Sequence, residues 1–353
     1  MANWYIGRRA LKRAASINGV DRDATIDRII EASARRIDRQ TRRFFIPRTE
    51  TRLYRWPREQ SSRGYVLWVD QGLISVTTLQ TKAQDSSPTT IAASDFFVEP
   101  NNTGPPFNRI EIDLSSSAAF EAGDTPQRSI SVTGSWGFSN DTRSAGTVAS
   151  GLASSATASS FVASDSSLLD VGDTMLIESE QVFISNVASA ALTGSILLDG
   201  ALTATQSQTS VTVDTSHGIA DGEVILVDSE RMFVESSTAT VLTVVRAYDG
   251  SILAAHDNDT AVQVFRTYTI ERGANGTTAA THANATAISV YEPPFDISQL
   301  CLAEAIAAYM QEGSGWGRQV GTGEGARELN ARELGALRQD IIARYQRVRE
   351  AAI

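Results

Sequence analysis

Two stretches decide how this chain is read: Asp170–Ser185, DVGDTMLIESEQVFIS, and Ala220–Glu235, ADGEVILVDSERMFVE. Each runs as a glycine turn, a β-branched strand, a Ser-Glu turn and a second strand, the pattern of a hairpin. The match extends without gaps from Ser160–Gly200 to Ser210–Gly250 at an offset of 50, with 11 of 41 positions identical. Gly172/Gly222, Leu176/Leu226, Ser179/Ser229, Glu180/Glu230 and Phe183/Phe233 are among the identities. A second similarity runs at an offset of 26, from Arg246–Val264 (RAYDGSILAAHDNDTAVQV) to Arg272–Val290 (RGANGTTAATHANATAISV). The order along the chain is first half, first half, second half, second half. Nesting explains that order: a complete module at about 205–265 sits inside another, split between 155–187 and 267–292. A tandem pair with a degenerate first copy is the alternative, and we favour nesting.

Upstream of the repeats, all but Val148 and Leu152 of the seventeen residues Ser144–Ser160 are Ser, Ala, Gly or Thr. That composition predicts a flexible linker over 144–159. Before it lie short β-branched or alternating runs separated by Pro, Gly, Asn and Asp: Thr49–Trp56, Tyr65–Asp70, Gly72–Thr81, Phe96–Glu99, Arg109–Leu114 and Ser129–Gly134. They predict a small sheet. The first long element is helical. Ile26, Ile29, Ile30, Ala34 and Ile37 recur at three- and four-residue spacing from a cap at Asp23, and Arg28, Arg35, Arg39 and Arg42 fall on the other side. A shorter helix is expected around Gly7–Ile17. Beyond Pro293-Pro294, Ile297–Gln311 reads as a helix with little polar face. The last helix carries an apolar stripe, Leu334, Leu337, Ile341, Tyr345, Val348 and Ala352, which needs a partner surface.

The 353 residues carry a formal net charge of −10, but the charge is partitioned. Residues 1–60 come to +8, 61–143 to −4, 144–300 to −14 and 301–353 to zero. Such asymmetry points to units with different neighbours. One cysteine, Cys301, excludes an intramolecular disulfide, and three histidines leave little material for a metal site. No run of about 18 apolar residues predicts a membrane span, and the charged start, Met1–Lys12, does not read as a secretory signal. The loop GSGWGRQVGTGEG lacks the Gly-Lys-Ser/Thr ending of a phosphate-binding loop and follows a helix rather than a strand. His256 and His282 occupy equivalent repeat positions and read as turn or packing residues, not as a triad member or ligand. No residue set points to catalysis, a cofactor or a metal, so the chain is not expected to be an enzyme.

In combination, several segments resemble the head–tail connector (adaptor) proteins of long-tailed bacteriophages. IDRIIEASARRIDRQTRRFFIPRTETRLY (Ile26–Tyr54) is similar to that family's helix, Arg-Phe step and strand. LWVDQGLISVTTLQT (Leu67–Thr81), DFFVEPNNTGPPFNRIEI (Asp95–Ile112) and ISVTGSWGF (Ile130–Phe138) resemble its sheet. The helix that normally follows soon afterwards comes about 155 residues late, at Ile297–Met310, which makes the acidic block an insertion.

The resemblance implies an α+β fold: a helical adaptor body (1–143 and 293–353) with a small β-sheet, plus an all-β insertion (160–292) of two related modules. It implies a structural virion protein at the head–tail junction, or neck, made in the host bacterial cytoplasm. Such a protein forms a homo-oligomeric ring of twelve subunits between the portal protein and a downstream neck or tail-completion protein. Packaged DNA would pass through it without sequence readout, and no membrane is involved. Arg28, Arg35, Arg39 and Arg42 on the basic helix, with Leu337, Ile341, Tyr345 and Val348 on the last one, are the expected interface residues. The alternative is a β-module protein that binds a capsid surface or a host glycan through the insertion.

Overall fold

A computed structural model describes residues 3–57, 63–191, 195–313, 319–320, 327–328 and 331–347. The chain opens with α1 (Arg8–Ala14) and α2 (Asp23–Thr41). A first sheet follows, built from β1 (Arg48–Tyr54), β2 (Val66–Thr81), β3 (Thr89–Ile91), β4 (Phe96–Glu99), β5 (Phe107–Ile112) and β6 (Ile130–Trp136). Its strand order is β1-β6-β2-β5-β4, with β3 also on β2. The runs 65–70 and 72–81, expected as two strands, form the single strand β2. Its register against β5 shifts between Trp68 and Leu73, so the chain bulges at Asp70–Gly72 instead of turning back. Inward-facing Leu67, Leu73, Ile110, Val132 and Trp136 make the core of this sheet.

The remaining strands are β7 (Thr142–Ser150), β8 (Ser160–Ala163), β9 (Thr174–Ile177), β10 (Glu180–Ala191), β11 (Ser210–Thr212), β12 (Val224–Val227), β13 (Glu230–Ser237), β14 (Val241–Val245), β15 (Val262–Glu271) and β16 (Ala287–Tyr291). Six of them close into a ring, β10-β9-β16-β7-β8-β15 and back to β10, an outer barrel. β15 continues into a second, inner module through β12, β13, β14 and β11. Isolated bridges Leu198–Val213 and Leu197–Ala261 carry that ladder back toward β15. The ten-residue β15 is the joint: β10 flanks it along its length, while β12 and then β8 take its other side. Each module has its own core, Met175, Ile177, Val182 and Ile288 in the outer one, and Ile225, Val227, Met232, Val244 and Val264 in the inner one.

The stretch 144–159, expected as a flexible linker, instead includes most of β7, paired with both β16 and β8. Ala145, Val148 and Leu152 are fully buried, and the Ser and Thr between them satisfy the outer face of a strand. Small side chains here serve close packing, because the outer core also takes in Trp4 and Leu11 from the helical start and Ile26, Ile29 and Ile30 from α2.

After β16 come α3 (Phe295–Gly313), the two-residue strands β17 (Gln319–Val320) and β18 (Arg327–Glu328), and α4 (Ala331–Tyr345). α3 and α4 pack on α2 around Ala34, Ile37, Phe45, Leu300, Cys301 and Ile341. A helical adaptor body is therefore corrected. The molecule is mostly β, includes a six-stranded barrel, and is only 21% helical. The reason lies in lengths: the longest helices, α2 and α3, span 19 residues each, while the described residues between 48 and 136 and between 142 and 291 form β1–β6 and β7–β16 with their connections. The helices share one small core and α2 also covers the outer barrel, but strands make up most of the molecule.

Candidate functional site: buried clasps and a basic helix face

The identities shared by the two repeats converge on one structure, built twice. In the inner module Glu230 opens β13 and is fully buried. Its carboxylate accepts from Arg246 Nε (2.7 Å) and Nη2 (2.8 Å), the Ala247 amide (2.9 Å), the Ala254 amide (3.1 Å) and His256 Nε2 (2.9 Å). In the outer module Glu180 accepts from Arg272 Nε (2.7 Å) and Nη2 (2.7 Å), the Gly273 amide (2.9 Å), the Ala280 amide (3.0 Å) and His282 Nε2 (2.8 Å). The second ring nitrogen of each histidine meets an exposed carboxylate at 2.7 Å, Asp228 for His256 and Glu178 for His282. The first half of the outer module is thus clasped by the last segment of the β block, with the inner clasp complete between them.

Burying a carboxylate is costly unless every lone pair is used, and five donors do so here. Burial alone would raise the Glu180 and Glu230 carboxyls; the arginine, histidine and amide donors outweigh it and hold each down at about 2. A carboxylate so saturated offers nothing to a substrate, so the clasps hold the fold. What they hold are tight turns. Asp249 and Asn275 sit in the left-handed region at φ 51° and 54°, and the glycine after each approaches the helical start or the first sheet. A Cβ on Gly250 would lie 2.6 Å from Gly19 Cα, and one on Gly276 would lie 2.1 Å from Thr49 O. Each clasp therefore locks a turn that docks its module on the N-terminal part of the chain.

A third buried pair joins the modules. Glu223 accepts from Arg266 Nε (2.7 Å) and Nη2 (2.5 Å), and from the amide and hydroxyl of Ser166 in the outer module (both 2.8 Å). Its repeat counterpart, Asp173, has only Arg143 (3.3 Å) and the Asp170 amide (2.9 Å). Burial, then the charge of Asp170, pushes Asp173 up to about 7.

The histidines were legible as equivalent positions, but their role was not, because Glu180 and His282 are 102 residues apart. The signal that finds the clasp is the set of polar identities kept at both offsets: Glu at 50, Arg and His at 26.

The expected interface residues fall into two groups. Arg28, Arg35, Arg39 and Arg42 lie along the outer side of α2 and just past its end. Arg28 meets Glu312 (2.8 Å), Arg35 meets Glu31 (3.8 Å), and Arg39 bonds only the Arg35 carbonyl (3.3 Å). Arg42 ends α2 in the left-handed region at φ 55°, five residues before Pro47, and its side chain is exposed. On α4, Ile341 is buried in the chain's own helical core, and Tyr345 packs on Phe45 and Phe138. Leu337 stays exposed, and Val348 lies outside the described residues, as does nearly all of the glycine-rich loop. The α4 stripe thus finds much of its partner surface within the chain. Glu304, buried on α3, ties the helices by meeting Arg36 of α2 (3.7 Å) and Arg338 of α4 (2.6 Å).

Aromatic residues of the modules divide likewise. Phe161, Phe183 and Tyr268 are buried, whereas Phe233, Tyr248 and Phe265 are half-buried beside a recess facing α1. No described helix is long and apolar enough to cross a membrane. Comparison of the chain with protein-family models, with curated proteins and with solved structures returns no match.

Proposed function

We propose that the chain is a structural virion protein that forms an oligomeric ring between portal and tail, extends the DNA channel and joins head to tail. One observation carries this reading. Three segments of the connector resemblance or of its helical end, far apart in sequence, meet in one aromatic triangle. Phe45 of the Arg-Phe-Phe step lies 5.6 Å from Phe138 of the Trp-Gly-Phe segment and 5.6 Å from Tyr345 of α4, and Phe138 lies 5.2 Å from Tyr345. The block 142–291 enters and leaves next to this triangle, as an insertion into a ring subunit would. With Ile341 and Tyr345 of α4 engaged within the chain, the basic side of α2 is the surface we assign to a neighbouring subunit, and its arginines suit forked contacts to carboxylates there.

The test is assembly with charge reversal. Purified chain mixed with its portal should elute as a high-mass ring complex. The triple substitution Arg35→Glu, Arg39→Glu, Arg42→Glu should abolish that complex with an unchanged circular dichroism spectrum. A parent chain that stays monomeric with portal at every concentration would rule the reading out. Ring formation by the triple variant would remove these arginines from the contact.

A further inference from the structure

Between α1 and the two modules lies a recess of about 920 Å3, within the usual range of ligand pockets. Its two walls differ in chemistry. One wall is α1, where Arg8, Arg9, Lys12 and Arg13 fall within roughly 140° of arc at 100° per residue. The opposite wall is the outer face of the inner module. Ile225, Val227, Met232, Val234 and Val264 point into that module's core, so strand alternation turns Val224, Arg231, Phe233 and Phe265 the other way, toward the recess. Tyr248 joins them, its ring 5.3 Å from that of Phe233, and the Arg231 guanidinium lies 5.0 Å over the Phe265 ring.

Acidic neighbours hold most of these cations in place. Arg8 is gripped by Asp27 (2.7 and 2.5 Å), Lys12 lies between Asp23 (3.1 Å) and Asp249 (2.6 Å), and Arg231 meets Asp249 (2.9 Å). Arg9 is anchored on the Leu169 carbonyl (2.5 Å). Arg13 is exposed and has no such partner among the described residues. Five cations and three carboxylates line the recess and Asp27 holds Arg8 from behind, which leaves one positive charge over beside residues 144–300, whose total is −14. Four of the five cations are thereby fixed, and one remains unengaged.

We infer that the recess binds a small anion carrying a planar ring, of the nucleoside phosphate class. The ring lies against Phe233, Tyr248 and Phe265, where aromatic faces accept any base. The anionic group lies on Arg13, the one lining cation without a partner among the described residues, next to the ion-paired Arg8 and Lys12. This inference does not depend on the ring-forming role.

Calorimetric titration of the full chain with adenosine monophosphate, adenosine and inorganic phosphate tests it. The monophosphate should bind with a Kd at or below about 1 mM, and each fragment about tenfold more weakly or worse. Arg13→Glu and Phe265→Ala should each weaken the monophosphate about tenfold or more, with Arg128→Glu, remote from the recess, unchanged. Arg13 is exposed, so its substitution leaves the fold intact. Absence of saturation by about 10 mM, phosphate alone binding as tightly as the nucleotide, or equal binding by Arg13→Glu would each overturn the inference.

Discussion

Glu180 and Glu230 each collect five donors at a fully buried site, so removing the carboxylate strands a buried arginine and leaves a histidine ring nitrogen without its partner. Glu230→Ala should therefore cost about 3–5 kcal/mol in urea unfolding, the range for breaking a buried pair. Asp228→Ala, which removes a carboxylate whose side chain is 60% exposed, should cost under about 1 kcal/mol. The clasps also fix the sign of the acid response. Their carboxyls titrate at about 2 when folded and near 4.3 when unfolded. The folded state binds fewer protons between those values, so this stability is complete above about 4.5 and is lost as pH falls toward about 2. Asp173 works in the opposite sense. Raised to about 7, it favours the folded state below about 3.9, and that contribution disappears as pH rises through 7. Asp173→Asn should then be more stable than the parent at pH 8, by up to a few kcal/mol at about 1.4 kcal/mol per pH unit. The advantage should vanish near pH 4, as urea midpoints at the two pH values would show.

Among the elements, α2 was the most legible, because one apolar stripe at helical spacing has one meaning. Ile26, Ile29, Ile30, Ala34 and Ile37 are all buried, as that spacing requires. The stretch Ser144–Ser160 was misleading for a physical reason: serine and alanine suit both a solvated linker and a strand against a crowded core, and composition does not reveal the crowding. The strand β2 was divided at Gly72, since a glycine that permits a bulge reads in sequence like one that permits a turn. On α4 the stripe was visible and its partner was not, because that partner, Phe45 and Phe138, comes from distant segments. Ile341 is 3% exposed and Leu337 38% exposed. Thermal or urea unfolding should thus show Ile341→Ala costing about 2–4 kcal/mol, as buried large-to-small changes do. Leu337→Ala should stay within about 0.5 kcal/mol while remaining free to affect assembly.

Across the whole molecule, the charge partition and the repeats were readable from the chain, and the balance of helix to sheet was not. Helices at both ends suggested a helical body, yet their apolar residues are divided between a small core of their own and the outer barrel. Long-range pairing decides this, as in β15, whose neighbours β8, β10 and β12 begin 102, 82 and 38 residues before it. The same pairing joins the two modules, and the turns at Gly250 and Gly276 set them against the N-terminal part, so the acidic block is an integral part of the fold. Direct imaging of assembled particles, with this chain located and its copies counted, tests the proposed role most directly. The account predicts a closed ring of copies between portal and tail, with the acidic modules outward and the basic sides of α2 at subunit contacts. Absence of the chain from the neck, or its presence there as isolated single copies, would contradict it.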